Sequence, residues 1–238
     1  ENIGYWNFYY PNGILKSEGE FTNASMPVGK WKYYTETGLI SSTNTFVNGK
    51  VEGAVDAYYE NGSILINKNF KNDQLDGTQI SYYPTGVKKM TYLFKNGIQN
   101  GKETSYAPNG KLKYEVGVTN DKYEGEVKQY YENGHLKEKS TFKNGLRNDK
   151  SFDYHNYPEN AVKTECFYTN GILTGDYKTY FPNGKIDEIG KFNKSGKRDG
   201  VWKSYFDNDS LFSIENYDNG KYDGVTKYYD NKGRQTSE

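Results

Sequence analysis

The chain has 238 residues, 34% of them hydrophobic and 17% aromatic, and its 31 basic side chains balance 31 acidic ones. Globular domains are nearer half apolar, so a large core of Leu, Ile and Val is excluded; the aromatic content argues against disorder, and the absence of net charge argues against a nucleic-acid partner. Cys166 is the only cysteine, which excludes an intrachain disulfide, and no apolar run nears the ~20 residues of a membrane helix.

Ten repeat units follow one another along the chain. GYWNFYYPNG begins at Gly4, GKWKYYTETG at Gly29, GAVDAYYENG at Gly53 and GTQISYYPTG at Gly77. GKETSYAPNG begins at Gly101 and GEVKQYYENG at Gly125. A degenerate unit at Asp149 precedes GDYKTYFPNG at Gly175, GVWKSYFDND at Gly200 and GVTKYYDNKG at Gly224. Most starts lie 24 residues apart. One column is Tyr in every unit, from Tyr9 through Tyr34 and Tyr58 to Tyr205 and Tyr229. Internal repetition of this kind predicts one continuous repeat domain over residues 1–238.

Within each unit two runs of β-formers flank a turn, and a second turn leads to the next unit. Asn-Gly pairs such as Asn96-Gly97 and Asn144-Gly145 supply the positive φ that tight hairpins need. No helical period persists. The expected fold is all-β: an elongated, single-layer antiparallel array of about ten hairpins and about twenty strands, each hairpin stabilised by its neighbours. Alternation along the first strand predicts two different faces. One carries Trp6, Trp31, Trp202 and Tyr177, followed by Tyr10, Tyr59, Tyr83, Tyr131, Phe181 and Phe206. The other sets the constant Tyr beside Lys32, Lys128, Lys178, Lys203 and Lys227.

The pattern G-x-W-K-x-Y-Y-x-N-G-x-L followed by F-K-N-G-x-x-x-G resembles the MORN-variant repeat, seen best in GKWKYYTETG at Gly29 and in YYENGHLKEKSTFKNG at Tyr130. It departs at residues 149 to 166, where the turn glycine is replaced and residues are added, which leaves the register of the seventh hairpin open. The resemblance implies elongated hairpin arrays with an aromatic groove. Bacterial members are often antitoxins of toxin–antitoxin pairs; relatives elsewhere act as scaffolds at membranes or cytoskeleton.

Catalytic chemistry finds no support in the residues. His135 reads as an exposed turn residue, and His155 and Cys166 as drift in the irregular unit, because no oxyanion loop or orienting residue accompanies them. No metal-ligand spacing is present, and Asp207-Asn208-Asp209-Ser210 reads as a hairpin turn rather than a calcium loop. No catalytic, cofactor or metal residue is therefore assigned. The candidate binding face is the aromatic one: Trp6, Trp31, Trp202, Tyr10, Tyr59, Tyr83, Tyr131, Tyr177, Phe181 and Phe206. The expected function is a non-catalytic scaffold for a protein partner, antitoxin-like by resemblance. The alternative is a secreted or cell-surface module that binds glycan or lipid headgroups, or self-associates through end strands. Glu1 is either an end left by signal cleavage, which places the chain in the envelope or outside the cell, or an arbitrary start, which leaves a cytoplasmic chain.

Overall fold

The computed structural model describes residues 3–237. Its regular structure is strand throughout, in 24 segments, with antiparallel pairing. Two compact units form: one of Glu1–Leu112 with Val118–Asp121, the other of Lys113–Gly117 with Lys122–Glu238. Each is a meander. In the first unit Gly4–Tyr9 pairs with Leu15–Phe21, which pairs in turn with Pro27–Tyr34. In the second, Ile172–Tyr180 pairs with Ile186–Phe192, then Arg198–Tyr205, then Leu211–Asp218. The all-β hairpin array expected from the repeats is the fold observed.

Twenty-four strands rather than twenty arise because four segments, such as Lys50–Val51 and Gln74–Leu75, are only two residues long. The ladder breaks just before a glycine at positive φ: Glu52 precedes Gly53 (φ 75) and donates its N–H to Thr45 O at 2.9 Å. A bulge of this kind bends a strand without abandoning its pairing.

The turns between repeats follow from their residues. Asn96 sits at φ 49 and Gly97 at φ 80, and Asn144 and Gly145 repeat the pattern at 53 and 83. Positive φ at both central positions defines the type I′ turn, whose twist suits a hairpin. The seventh hairpin keeps regular register after all, from Asp149↔Tyr168 to Tyr154↔Val162. Asp149 adopts φ 69, the left-handed conformation that glycine holds elsewhere, and the added residues lie in the turn. Each hairpin also carries one unpaired residue on its second strand. Tyr82 faces Lys88 while Ser81 faces Met90, which leaves Lys89 outside the ladder.

The core is a file of aromatic contacts rather than an aliphatic interior. In the first unit Trp31 stacks on Phe8 and Tyr33 at 6.2 Å, with Phe21 edge-on at 5.0 Å. In the second, Trp202 meets Phe192 at 5.0 Å and Tyr177 at 5.6 Å, and the Arg198 guanidinium lies 3.9 Å above its ring. Both indoles lie flat on a glycine of the preceding strand, Gly19 and Gly190; a Cβ there would stand 2.2 Å from each ring. The indole N–H of Trp31 and of Trp202 has no acceptor among the described residues. Leaving such a donor unpaired costs about 1–3 kcal/mol. Burying ~200 Å² of ring at ~25 cal/mol per Å² returns about 5 kcal/mol, so packing outweighs the lost hydrogen bond.

Gly190→Ala should cost about 1–3 kcal/mol in urea unfolding, since the methyl displaces a packed ring. Combined with Trp202→Val, which places there the residue type that the unit at Gly125 buries at its equivalent position, Val127, the loss should be smaller than the sum of the single losses. Strict additivity would mean that ring–glycine contact is not the cause.

Candidate binding face

The aromatic residues singled out in the sequence divide sharply in the structure. Trp31 and Trp202 are 5% and 1% exposed, so they build the core rather than present a surface. Trp6 is 38% exposed and stacks on Phe8 at 6.3 Å. Its indole N–H donates to Ile3 O. Tyr177 is half-buried against Trp202, and Phe206 is half-buried against Phe212 at 5.2 Å. Phe181 is half-buried at a turn, where its N–H donates to Lys185 O. The face therefore does not offer three Trp anchors; the two most buried indoles cannot meet a partner without unpacking a hairpin.

Tyr10, Tyr59, Tyr83 and Tyr131 have a different task, which a single repeat does not reveal. Each hydroxyl donates to a backbone carbonyl one repeat onward: Tyr10 to Tyr34 O at 2.7 Å, Tyr59 to Tyr82 O at 2.8 Å, Tyr83 to Tyr106 O at 2.9 Å and Tyr131 to Tyr154 O at 2.8 Å. The acceptors all belong to the constant Tyr column. The unpaired lysine of three hairpins lies over these same rings, Lys16 on Tyr10 and Lys89 on Tyr83 at 5.7 Å, Lys137 on Tyr131 at 5.9 Å. These are second-strand lysines, distinct from the first-strand Lys32, Lys128, Lys178, Lys203 and Lys227 set beside the constant Tyr; the bulge turns each onto the ring of the residue after that Tyr.

His155 holds the same column in the irregular unit, and its Nε2 lies 2.8 Å from Tyr180 O. A carbonyl can only accept, so the proton sits on Nε2. The histidine read as drift is thus the tyrosine's replacement. His135, read as exposed, is half-buried, with Nδ1 2.9 Å from Asn156 O. Cys166 is buried, and burial together with the Asp153 charge pushes its thiol up to about 11, far from the thiolate that nucleophilic chemistry needs. No group of three His, Cys, Asp or Glu among the described residues is placed to hold a metal ion.

Turn asparagines stitch the repeats in parallel. Asn183 Oδ1 accepts from Lys185 N within its own turn, and its Nδ2 donates to Asp207 O one repeat on. Asn12, Asn61 and Asn208 do the same towards Glu36, Pro84 and Asn231.

The opposite face is ionic. Glu18 accepts from Tyr34 Oη at 2.7 Å and from Lys32 Nζ at 3.0 Å. The Tyr34 bond first, then Lys32 and Tyr5, hold its carboxyl well below the ordinary range, at about 2. Glu165 repeats the arrangement with Lys150 at 2.7 Å and Tyr180 Oη at 3.1 Å, and its carboxyl is likewise lowered. A surface groove of about 610 Å³ runs along this face of the second unit, lined by Lys178, Ile189, Lys203 and Tyr205 among others.

The hairpins, their fixed turns and the repeat-to-repeat ladder share one period. The MORN repeat variant matches residues 3–23, 75–96, 99–120, 123–144, 173–194 and 198–219, more than half of the chain. The chain belongs to that family. Family members are generally non-enzymatic repeat scaffolds, and this MORN chain shares their hairpin architecture. No curated protein matches it. Among solved structures it is similar at 11% identity to the crystal structure of TcdB2-TccC3, over 95% of this chain and 15% of that one, with a TM-score of 0.24. It is similar at 12% to TcdB2-TccC3-Cdc42, over 97% and 18%, with a TM-score of 0.22, and at 11% to a Photorhabdus luminescens Tc holotoxin pore, over 97% and 17%, at 0.18. The MORN chain spans less than a fifth of each of those chains, and TM-scores this low carry no argument.

Two measurements check the geometry. His155→Phe should lower stability by about 1 kcal/mol through the orphaned Tyr180 carbonyl, and His155→Tyr should recover it in urea unfolding. Glu18 titrates lower folded than unfolded, so its contribution is present above the unfolded value of about 4.5 and is lost as pH falls towards about 2. Glu18→Gln should lower the Tm at neutral pH and flatten the Tm–pH curve over that window. Parallel curves for the two proteins would place the acid sensitivity elsewhere.

Proposed function

We propose that the chain is a non-catalytic scaffold that grips a protein partner, and that its two units serve one continuous repeat domain over residues 1–238. Membership of the MORN repeat variant family is the observation that carries this reading. The structure supports it in a physical way. Side chains stitch each repeat to the next, so the exposed side chains are held on a pre-ordered surface and little ordering entropy is lost on binding. The buried, protonated Cys166 and the hydrogen-bonded His155 support the non-catalytic part. An antitoxin-like role, in which the surface occupies a toxin, is the finer form of the proposal and rests on the family resemblance.

One observation favours the second reading, a surface module for glycan, lipid headgroups or self-association. The first strand exposes Tyr5 to 63% and Tyr9 to 58% on one face, opposite the face that carries Trp6. Aromatic rings presented together mark contact surfaces.

The test is capture from native lysate, followed by reconstitution with the purified candidate. Trp31 and Trp202 are excluded as probes because their loss unpacks hairpins; Trp6→Ala is the surface variant. A single protein that binds stoichiometrically in calorimetry establishes the scaffold reading. Binding confined to glycan or lipid arrays, or concentration-dependent association lost in Trp6→Ala, replaces it with the second.

A further inference from the structure

The ionic face of the second unit carries a row that the scaffold reading leaves unused. Successive strands place Lys178 opposite Ile189, Ile189 opposite Lys203, Lys203 opposite Ile214 and Ile214 opposite Lys227. The row therefore alternates Lys, Ile, Lys, Ile, Lys straight across five strands. Two residues further along the lysine strands, on the same face, stand Tyr180, Tyr205 and Tyr229. A second row, of aromatic rings, thus runs beside the first with the same spacing.

The charges of this face are not equally occupied. Glu165 is held by Lys150 and Tyr180. Asp176 pairs with Lys191 at 3.2 Å, and Asp199 accepts from Asn219 N at 3.2 Å. Lys178, Lys203 and Lys227 make no hydrogen bond or ion pair within 4.0 Å among the described residues, although Lys178 is near enough to Glu165 to help lower its carboxyl. The carboxylates have partners; the lysines of the row await one. Lys178 and Lys203 both open onto the 610 Å³ groove with Ile189 between them.

Spacing selects the ligand. Neighbouring strands lie ~4.8 Å apart, so like residues of the row recur every ~9.6 Å. A polyproline II helix has three residues per turn at ~3.1 Å each, and one of its edges repeats every ~9.3 Å. An extended β-strand does not fit, because residues on one of its faces recur every ~6.7 Å. We infer that the second unit binds an acidic polyproline II peptide laid across its strands, with a carboxylate at every third residue seated on Lys178, Lys203 and Lys227. The next edge of the peptide, carrying proline, lies on Tyr180, Tyr205 and Tyr229. Aromatic rings spaced to match a preformed, low-entropy helix are an established way to read proline-rich segments. Ile189 and Ile214 fill the gaps between ion pairs and keep water out. The inference rests on the scaffold reading and specifies the chemistry of its partner.

Fluorescence anisotropy with labelled synthetic peptides tests it. One peptide has roughly six Glu-Pro-Pro triplets, the period of the helix itself. The other has the same composition with its glutamates spaced alternately two and four residues apart. The triplet peptide should bind at least about five-fold more tightly, and Lys178→Gln with Lys203→Gln should remove that preference; these lysines lie outside the packed core, so far-UV circular dichroism should be unchanged. Equal affinity for both peptides, or a preference that survives the double substitution, overturns the inference. Full displacement of both peptides by inorganic tripolyphosphate, without regard to period, reduces the row to a general anion site and overturns it as well. If neither peptide binds while a captured protein still binds the double variant, this inference fails and the scaffold reading stands.

Discussion

The structure depends on how a thin sheet satisfies its outermost carbonyls. A hairpin array has no second layer to bury its turns, so the carbonyl of the last residue before each first turn faces either water or a neighbour. Here the preceding repeat supplies a donor: a tyrosine hydroxyl at Tyr10, Tyr59, Tyr83 and Tyr131, an imidazole at His155. Each bond contributes only ~1 kcal/mol. Its effect is greater because it joins residues about one repeat apart, and an array stabilised by nearest neighbours gains cooperativity from every such link. The column lacks a ring donor at Thr35, Ala107, Phe181 and Phe206; of these, Ala107 is buried and Phe206 packs edge-on against Phe212.

The same constraint explains the division of labour between faces. Packing on one side must be flat, since there is no interior to fill. Trp31 and Trp202 meet this by lying on glycines, which brings the ring onto the neighbouring backbone. The arginine over Trp202 closes the outer side of the ring while its charge stays with Glu188 at 2.8 Å. The other side must keep strand edges soluble, and does so with Lys–Glu–Tyr clusters in which the carboxylates are hydrogen-bonded. Exposed ion pairs contribute little stability singly. Their value lies in orienting long side chains.

Much of this was legible in the sequence. The hairpins, the Asn-Gly turns and the constant Tyr column are local features, and local features repeat visibly. What was not legible depends on contacts a full repeat away. The burial of Trp31 and Trp202 has a written signal, a glycine twelve residues ahead of each in a strand where other units carry side chains, but its meaning requires knowing which strands are neighbours. The role of His155 was hidden because histidine and tyrosine share little except a donor on a ring, which is all that the Tyr180 carbonyl requires. Bulges at Lys16, Lys89 and Lys137 turn these second-strand lysines onto Tyr10, Tyr83 and Tyr131, contacts that strand alternation does not signal, since one extra residue re-aims every side chain nearby.

A repeat that is copied many times must keep its structural columns and is free to vary the rest. By that rule the constant Tyr column is architecture, and function belongs where units differ. The Lys–Ile row meets this condition. Equivalent positions in the first unit hold Lys32, Asp56, Asn67 and Ile80; Lys32 is paired with Glu18 and Asp56 is hydrogen-bonded to Asn67, so nothing there resembles a run of lysines without partners. Nearest-neighbour stability lets one part of the array specialise while the rest stays generic, because a substitution on the ionic face leaves the aromatic file behind it untouched. A sheet one layer thick thus separates its two tasks by side, with packing on one and recognition on the other.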